Sequence, residues 1–116
     1  VNSTAKLYLV TRADLRHGSQ AVQLVHGMAT FAKDYPCTFA SWERESNFVV
    51  CLTVPDEDAL YKLFWDAERI SNKSENGLAV SSFREPDWND ALTCVVLEPD
   101  VTQLQELCAG LPLACR

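Results

Sequence analysis

Ser19, Gln23, His26 and Thr30 follow one another at steps of four, three and four residues. On a helix those steps place all of them on one stripe. The stripe is polar but uncharged. A solvated helix face ordinarily carries Lys and Glu, so an uncharged polar stripe suits a partly buried surface that makes directed hydrogen bonds. Imidazole, with an ordinary pKa of about 6.5, makes His26 the best general base available in the chain. The same spacing also fits a polar seam packed against a loop and a histidine that only holds a hydrogen bond, and both readings stay open. The other histidine, His17, stands beside Gly18 in what reads as a solvated loop. Two histidines without Cys or carboxylate at ligand spacing do not make a metal site, and none is expected.

Arg84-Glu85-Pro86-Asp87-Trp88-Asn89-Asp90 sets three carboxylates beside a guanidinium and an indole. It reads either as a solvated hairpin-like turn or as a carboxylate held at a sheet rim opposite the helix stripe. Arg12 and Asp14, two apart after an apolar run, are a loop ion pair or part of that rim. There is no nucleophile elbow, no phosphate-cradling glycine loop and no G-x-G-x-x-G. With only four glycines in the chain, a nucleotide-cofactor enzyme is disfavoured and no cofactor is expected.

The elements that must position these residues follow from periodicity. Residues 6–12 read as a strand rich in β-formers. Residues 19–34 read as a helix, in which Ala21, Val22, Val25, Met28, Ala29 and Ala32 form an apolar face, and the Tyr35-Pro36 step ends it. A short second helix is expected over 37–46. Residues 48–54 are apolar on both faces, which predicts a central strand. Pro55-Asp56-Glu57-Asp58 is a strong helix start, and Leu60, Leu63, Phe64, Ala67 and Ile70 continue that helix on one face. Strands are expected over 78–83 and 91–97, and a last helix over 101–109, stopped by Gly110 and Pro112. Strands alternating with helices favour a mostly parallel sheet with helices on its faces. The connection over 83–91 is too short for a parallel crossover, so the last two strands are antiparallel neighbours or are separated by a turn. In such sheets ligands bind beyond the carboxyl ends of the strands.

The chain has 116 residues, 47% of them apolar and 22% charged. That fits one soluble domain spanning 1–116, with its core in about 6–100. No apolar run is long enough to span a membrane, and the opening Val1–Lys6 does not read as a secretory signal. Five cysteines, an odd number without C-x-x-C spacing, read as reduced thiols, with Cys51 and Cys94 acting as small hydrophobes. A cytoplasmic protein is expected. The net charge of −6 is a poor footprint for general nucleic-acid binding, although it leaves room for a local basic patch.

The segment Leu7-Tyr8-Leu9-Val10-Thr11-Arg12-Ala13-Asp14-Leu15, followed by Gly18, Ala21 and Gln23-Leu24-Val25-His26, resembles the opening of type-II peptidyl-tRNA hydrolases. The resemblance runs on through the 48–54 strand, the Pro55-started helix and the last strand, Leu92 to Pro99. It implies a single α/β domain with a four-stranded mixed sheet and helices on both faces. It also implies a hydrolase that cleaves the ester between a peptide and the 3′ end of tRNA. Gln23 and His26 match the family's helix Gln and His, and Arg12 and Asp14 the pair after its first strand. Ser19 stands where the family carries Lys. Glu85 or Asp87 is the nearest substitute for an Asp that the family places before its last strand. On this reading His26, Glu85 or Asp87 activates water, and Gln23 and Ser19 orient it or donate to the oxyanion. Arg12 and Arg84 meet phosphates, with Asp14 beside them. The expected partner is peptidyl-tRNA or a related RNA end, and a homodimer is left open. The alternative is a catalytically silent domain of the same fold that binds a nucleotide, an RNA end or a protein.

Overall fold

In the computed structural model, which describes residues 1–116, the chain runs β1 (Lys6–Arg12), α1 (His17–Asp34), α2 (Pro36–Glu45), β2 (Phe48–Val54), α3 (Glu57–Lys73), β3 (Val80–Glu85), a 3-10 turn (Pro86–Trp88), β4 (Ala91–Leu97) and α4 (Thr102–Leu107). The strands form one four-stranded sheet in the order β2-β1-β4-β3. β1 pairs with β2 in parallel, and β4 pairs antiparallel with both β1 and β3. The fold is therefore the expected single-domain α/β arrangement with a mixed sheet. The mostly parallel sheet favoured by the alternation of elements is not found. Only one pairing is parallel, because β3 and β4 are joined through a tight turn in which Asn89 and Asp90 take left-handed backbone angles.

Each face of the sheet carries its own core. Leu7, Leu9, Cys94 and Val96 face α1 and α2 and pack with Leu24, Phe31 and Trp42. Val10, Leu52, Val95 and Leu97 face α3 and α4 and pack with Leu60, Leu63, Ala67 and Leu104. Helix α3 is built as its sequence reads. Asp56 caps it by accepting from Ala59 N–H at 2.9 Å, and Leu60, Leu63 and Ala67 are its buried positions. No helix is long and apolar enough to cross a membrane.

Two further expectations fail. The strand over 48–54 is an edge strand, not a central one. Its first residues, Phe48 and Val49, are exposed. Its second half is covered by the C-terminal segment, in which Pro112 C=O accepts from Thr53 N–H and Ala114 N–H donates to Cys51 C=O, both at 2.9 Å. An edge covered by a strap reads in sequence like a strand buried on both sides. β4 is the strand sealed throughout, with Leu92–Leu97 all buried.

The apolar face expected for α1 is also not the buried one. Val22 and Val25 are 51% and 69% exposed, whereas Gln20 and Gln23 are 3% and 1% exposed. The helix turns Gln20, Gln23, Leu24, Gly27 and Phe31 to the sheet. Gly27 explains the orientation. A Cβ at that position would lie 2.2 Å from Cys94 Sγ, so the helix backbone rests directly on β4. Only a glycine allows that approach.

Candidate functional site

β1, β2 and β3 run in the same direction, and β4 runs against them. The ends of three strands and the start of the fourth therefore share one rim. The loop 13–16, the start of α3 and the turn 86–90 lie there. Gln23, in the second turn of α1, reaches the same rim from above.

Gln23 is the hub. Its Nε2 donates to Glu85 Oε1 at 2.9 Å, and its Oε1 accepts from the Thr93 hydroxyl at 2.6 Å. The Thr11 hydroxyl donates in turn to Thr93 C=O at 2.7 Å. Thr93 reaches Gln23 because of a register break. Phe83 pairs with Cys94 and Arg84 with Leu92, which leaves Thr93 as an extra residue on β4. A bulge of this kind re-aims a side chain, and here it turns Thr93 toward α1 beside Cys94. The three groups form a directed chain from hydroxyl to amide to carboxylate, in which each bond polarises the next. The second Glu85 oxygen accepts from Asp87 N–H at 3.5 Å. The carboxylate is thus held at both oxygens while Glu85 itself stays half-buried.

His26 lies one helical turn further along α1. It is exposed, and its ring stacks on Phe83 at 4.7 Å between centroids and 15° between planes. Phe83 and Glu85 are two residues apart on one side of β3, about 7 Å along the strand. Imidazole and carboxylate therefore flank one stretch of the β3 edge. Ser19 is half-buried on the flank of α1 and makes no side-chain hydrogen bond. The Asp87 side chain is exposed.

The two arginines stand apart from this cluster. Arg12 Nε and Nη2 bond Asp14 at 3.0 and 2.9 Å, and Nη1 reaches Leu92 C=O at 3.3 Å. The bidentate bond to Arg12 holds the Asp14 carboxyl below its usual range, and the same bond raises the guanidinium. Arg12 is thereby neutralised within its own loop. Arg84 points to the opposite side of the sheet from Glu85, over the ring of Tyr61 in α3. Of the residues read from the sequence, the structure joins Gln23 with Glu85, sets His26 nearby, pairs Arg12 with Asp14, and sends Arg84 elsewhere.

Comparison of the sequence with protein-family models and with curated proteins finds no match. The fold is similar to that of a solved protein of unknown function from Agrobacterium tumefaciens. That protein is 12% identical, with a TM-score of 0.66 over 94% of this chain and 96% of that one. The likeness is one of fold.

Sequence reasoning missed Thr93, Thr11, Gln20 and Glu57. Glu57 accepts from Leu92 N–H at 2.8 Å and pins the start of β4. Gln20 donates to Leu15 C=O and accepts from Cys115 N–H, at 2.9 and 2.8 Å. It ties both the rim loop and the C-terminal strap to α1. The spacing of Gln20 and Gln23 was a usable signal, because two glutamines three apart share a face. Nothing in the sequence marks the bulge at Thr93.

Proposed function

We propose that the chain hydrolyses the ester that joins a peptide or acyl group to the 3′ end of tRNA. The observation that carries the reading is the Gln23–Glu85 contact at the strand-end rim. It brings together two positions that the resemblance assigns to the reaction, although 62 residues separate them. Glu85 is the group that takes a proton from the attacking water. Gln23 is buried with its amide oxygen on Thr93 and one N–H on the carboxylate, so it acts as a positioning residue and not as an oxyanion donor. It holds Glu85 in one orientation. His26, exposed beside Phe83, is placed to return a proton to the departing ribose oxygen. The carbonyl carbon accepts the water oxygen, the ester C–O bond breaks, and peptide acid and free 3′ hydroxyl leave.

The electrostatics of the rim favour a second reading, the catalytically silent binding domain. Asp14, Asp56, Glu57, Asp58, Glu85, Asp87 and Asp90 stand there against Arg12, Arg16 and Arg84. That excess of carboxylates opposes the approach of a phosphate backbone. Incubating the pure protein with an N-blocked aminoacyl-tRNA decides between the readings. The hydrolase reading expects release above the buffer rate, reduced by about 100- to 10,000-fold in Glu85→Gln. No release by the parent protein establishes the silent domain instead.

A further inference from the structure

α3 carries a half-buried Tyr61, which meets Arg84 of β3, and an exposed Trp65. Trp65 is 57% exposed, and its ring meets that of Tyr61 at 5.5 Å and 37°. The two residues are one helical turn apart, so their rings share one side of α3. The Arg84 guanidinium sits 5.2 Å from the Tyr61 ring centroid and hydrogen-bonds the Tyr61 hydroxyl.

Arg84 is the one cation of the chain that lies over an aromatic ring. Arg12, Arg44 and Arg69 each sit on a carboxylate, and so does Lys62. Arg84 is exposed, has no carboxylate partner and rests on an aromatic face. A guanidinium held this way keeps N–H donors free for a phosphate. The exposed indole on the other side of Tyr61 offers a flat face to a base.

We infer that Trp65, Tyr61 and Arg84 form a platform for an unpaired nucleotide at the RNA 3′ end. The indole stacks on the base and the guanidinium meets its phosphate. This rests on the hydrolase reading in one respect, that the bound strand leads to Glu85. Arg84 and Glu85 are consecutive and point to opposite sides of β3. β3 is an edge strand that ends at the rim, so a single strand lying on the platform passes around its end to the carboxylate. A duplex does not fit this path, because its bases are already stacked. The platform gives the protein a local hold on RNA despite the acidic rim, through stacking and one cation instead of a broad basic surface.

The test is binding of a labelled trinucleotide, cytidylyl-cytidylyl-adenosine, followed by fluorescence anisotropy. Adenosine 5′-monophosphate and a blunt RNA hairpin serve as comparison ligands. The trinucleotide is expected to bind more tightly than the hairpin. Trp65→Ala should weaken it by about 5- to 150-fold, as loss of one stacked base does. Arg84→Gln should reduce the slope of log affinity against log salt by about 0.7, the share of one phosphate contact on a single strand. Both side chains are exposed, so both variants are expected to fold, which circular dichroism checks. Unchanged trinucleotide affinity in Trp65→Ala overturns the platform. So does binding of the hairpin or the mononucleotide alone. Trinucleotide binding without ester turnover removes the hydrolase reading and leaves the platform standing. Turnover without trinucleotide binding removes the platform alone.

Discussion

Helices α1 and α3 cover opposite faces of the same sheet and are held by different physics. α3 buries Leu60, Leu63 and Ala67 in an apolar layer with Val95 and Leu97. Its stability comes from area removed from water, and its hydrophobic spacing announces it. α1 buries two glutamines and a glycine alongside Leu24 and Phe31, and exposes two valines. There the backbone lies against β4 at Gly27, and the polar side chains reach specific partners: Glu85, Thr93, Leu15 C=O and Cys115 N–H. Burying polar groups is tolerable only because each is hydrogen-bonded. The difference shows where each kind of contact sits in this fold. The layer that repels water supplies rigidity, and the layer that hydrogen-bonds supplies the oriented carboxylate.

Substitutions at matched positions on the two helices sharpen this contrast. The largest effect is expected at Leu60→Ala on α3. It should lose about 2–5 kcal/mol in urea unfolding, the cost of a cavity in an apolar core. On α1 the corresponding weak point is Gly27. Alanine at that position improves helix propensity by about 1 kcal/mol. The 2.2 Å approach to Cys94 Sγ nevertheless forces the helix off the sheet. A net loss of about 1–3 kcal/mol is expected for Gly27→Ala. Cys94→Ala added to it should recover part of that loss, and a double-mutant cycle measures how much.

Val25→Lys inverts the usual expectation for an apolar helical position. Because Val25 faces solvent, its unfolding free energy should stay within about 0.5 kcal/mol of the parent. A loss comparable to that of Leu60→Ala would place the buried face of α1 elsewhere. The smallest effect concerns pH. Asp14 is held below its ordinary carboxyl range by the hydrogen bonds from Arg12. Its contribution is present above the unfolded carboxyl range, near pH 4, and is lost as pH falls through the folded value. The Asp14 carboxylate is exposed and screened by solvent, so the pair's worth is below about 1 kcal/mol. Asp14→Asn should lower stability at neutral pH by less than about 1 kcal/mol and converge on the parent as pH falls through the carboxyl range, which flattens the acid limb.

The sequence made most of the elements legible, because helix starts and strand runs are local. The Pro55-Asp56 start, the Tyr35-Pro36 break and the apolar face of α3 are all found where the residues place them. What failed was set by distant partners. The edge position of β2 depends on residues 112–114 coming back to cover it. The orientation of α1 depends on Cys94 and Val96, which make Gly27 the contact point. In the site, Gln23 and Glu85 were readable because each belongs to a compact motif at a strand end. Thr93 was not, since a bulge is a property of two strands and leaves no mark in either. The opposite direction of Arg84 was readable in principle, because neighbours on a strand point to opposite faces.

In the proposed ester hydrolysis Gln23 acts by holding Glu85. This role is tested most directly by measuring release of the blocked amino acid from an N-blocked aminoacyl-tRNA in the parent and in Gln23→Ala, with thermal unfolding followed on the same samples. Release of the blocked amino acid by the parent protein is expected, with a variant that still unfolds cooperatively yet releases it about 10- to 1000-fold more slowly, as misplacing a catalytic group does. Release at the parent rate by a folded Gln23→Ala protein would contradict that role.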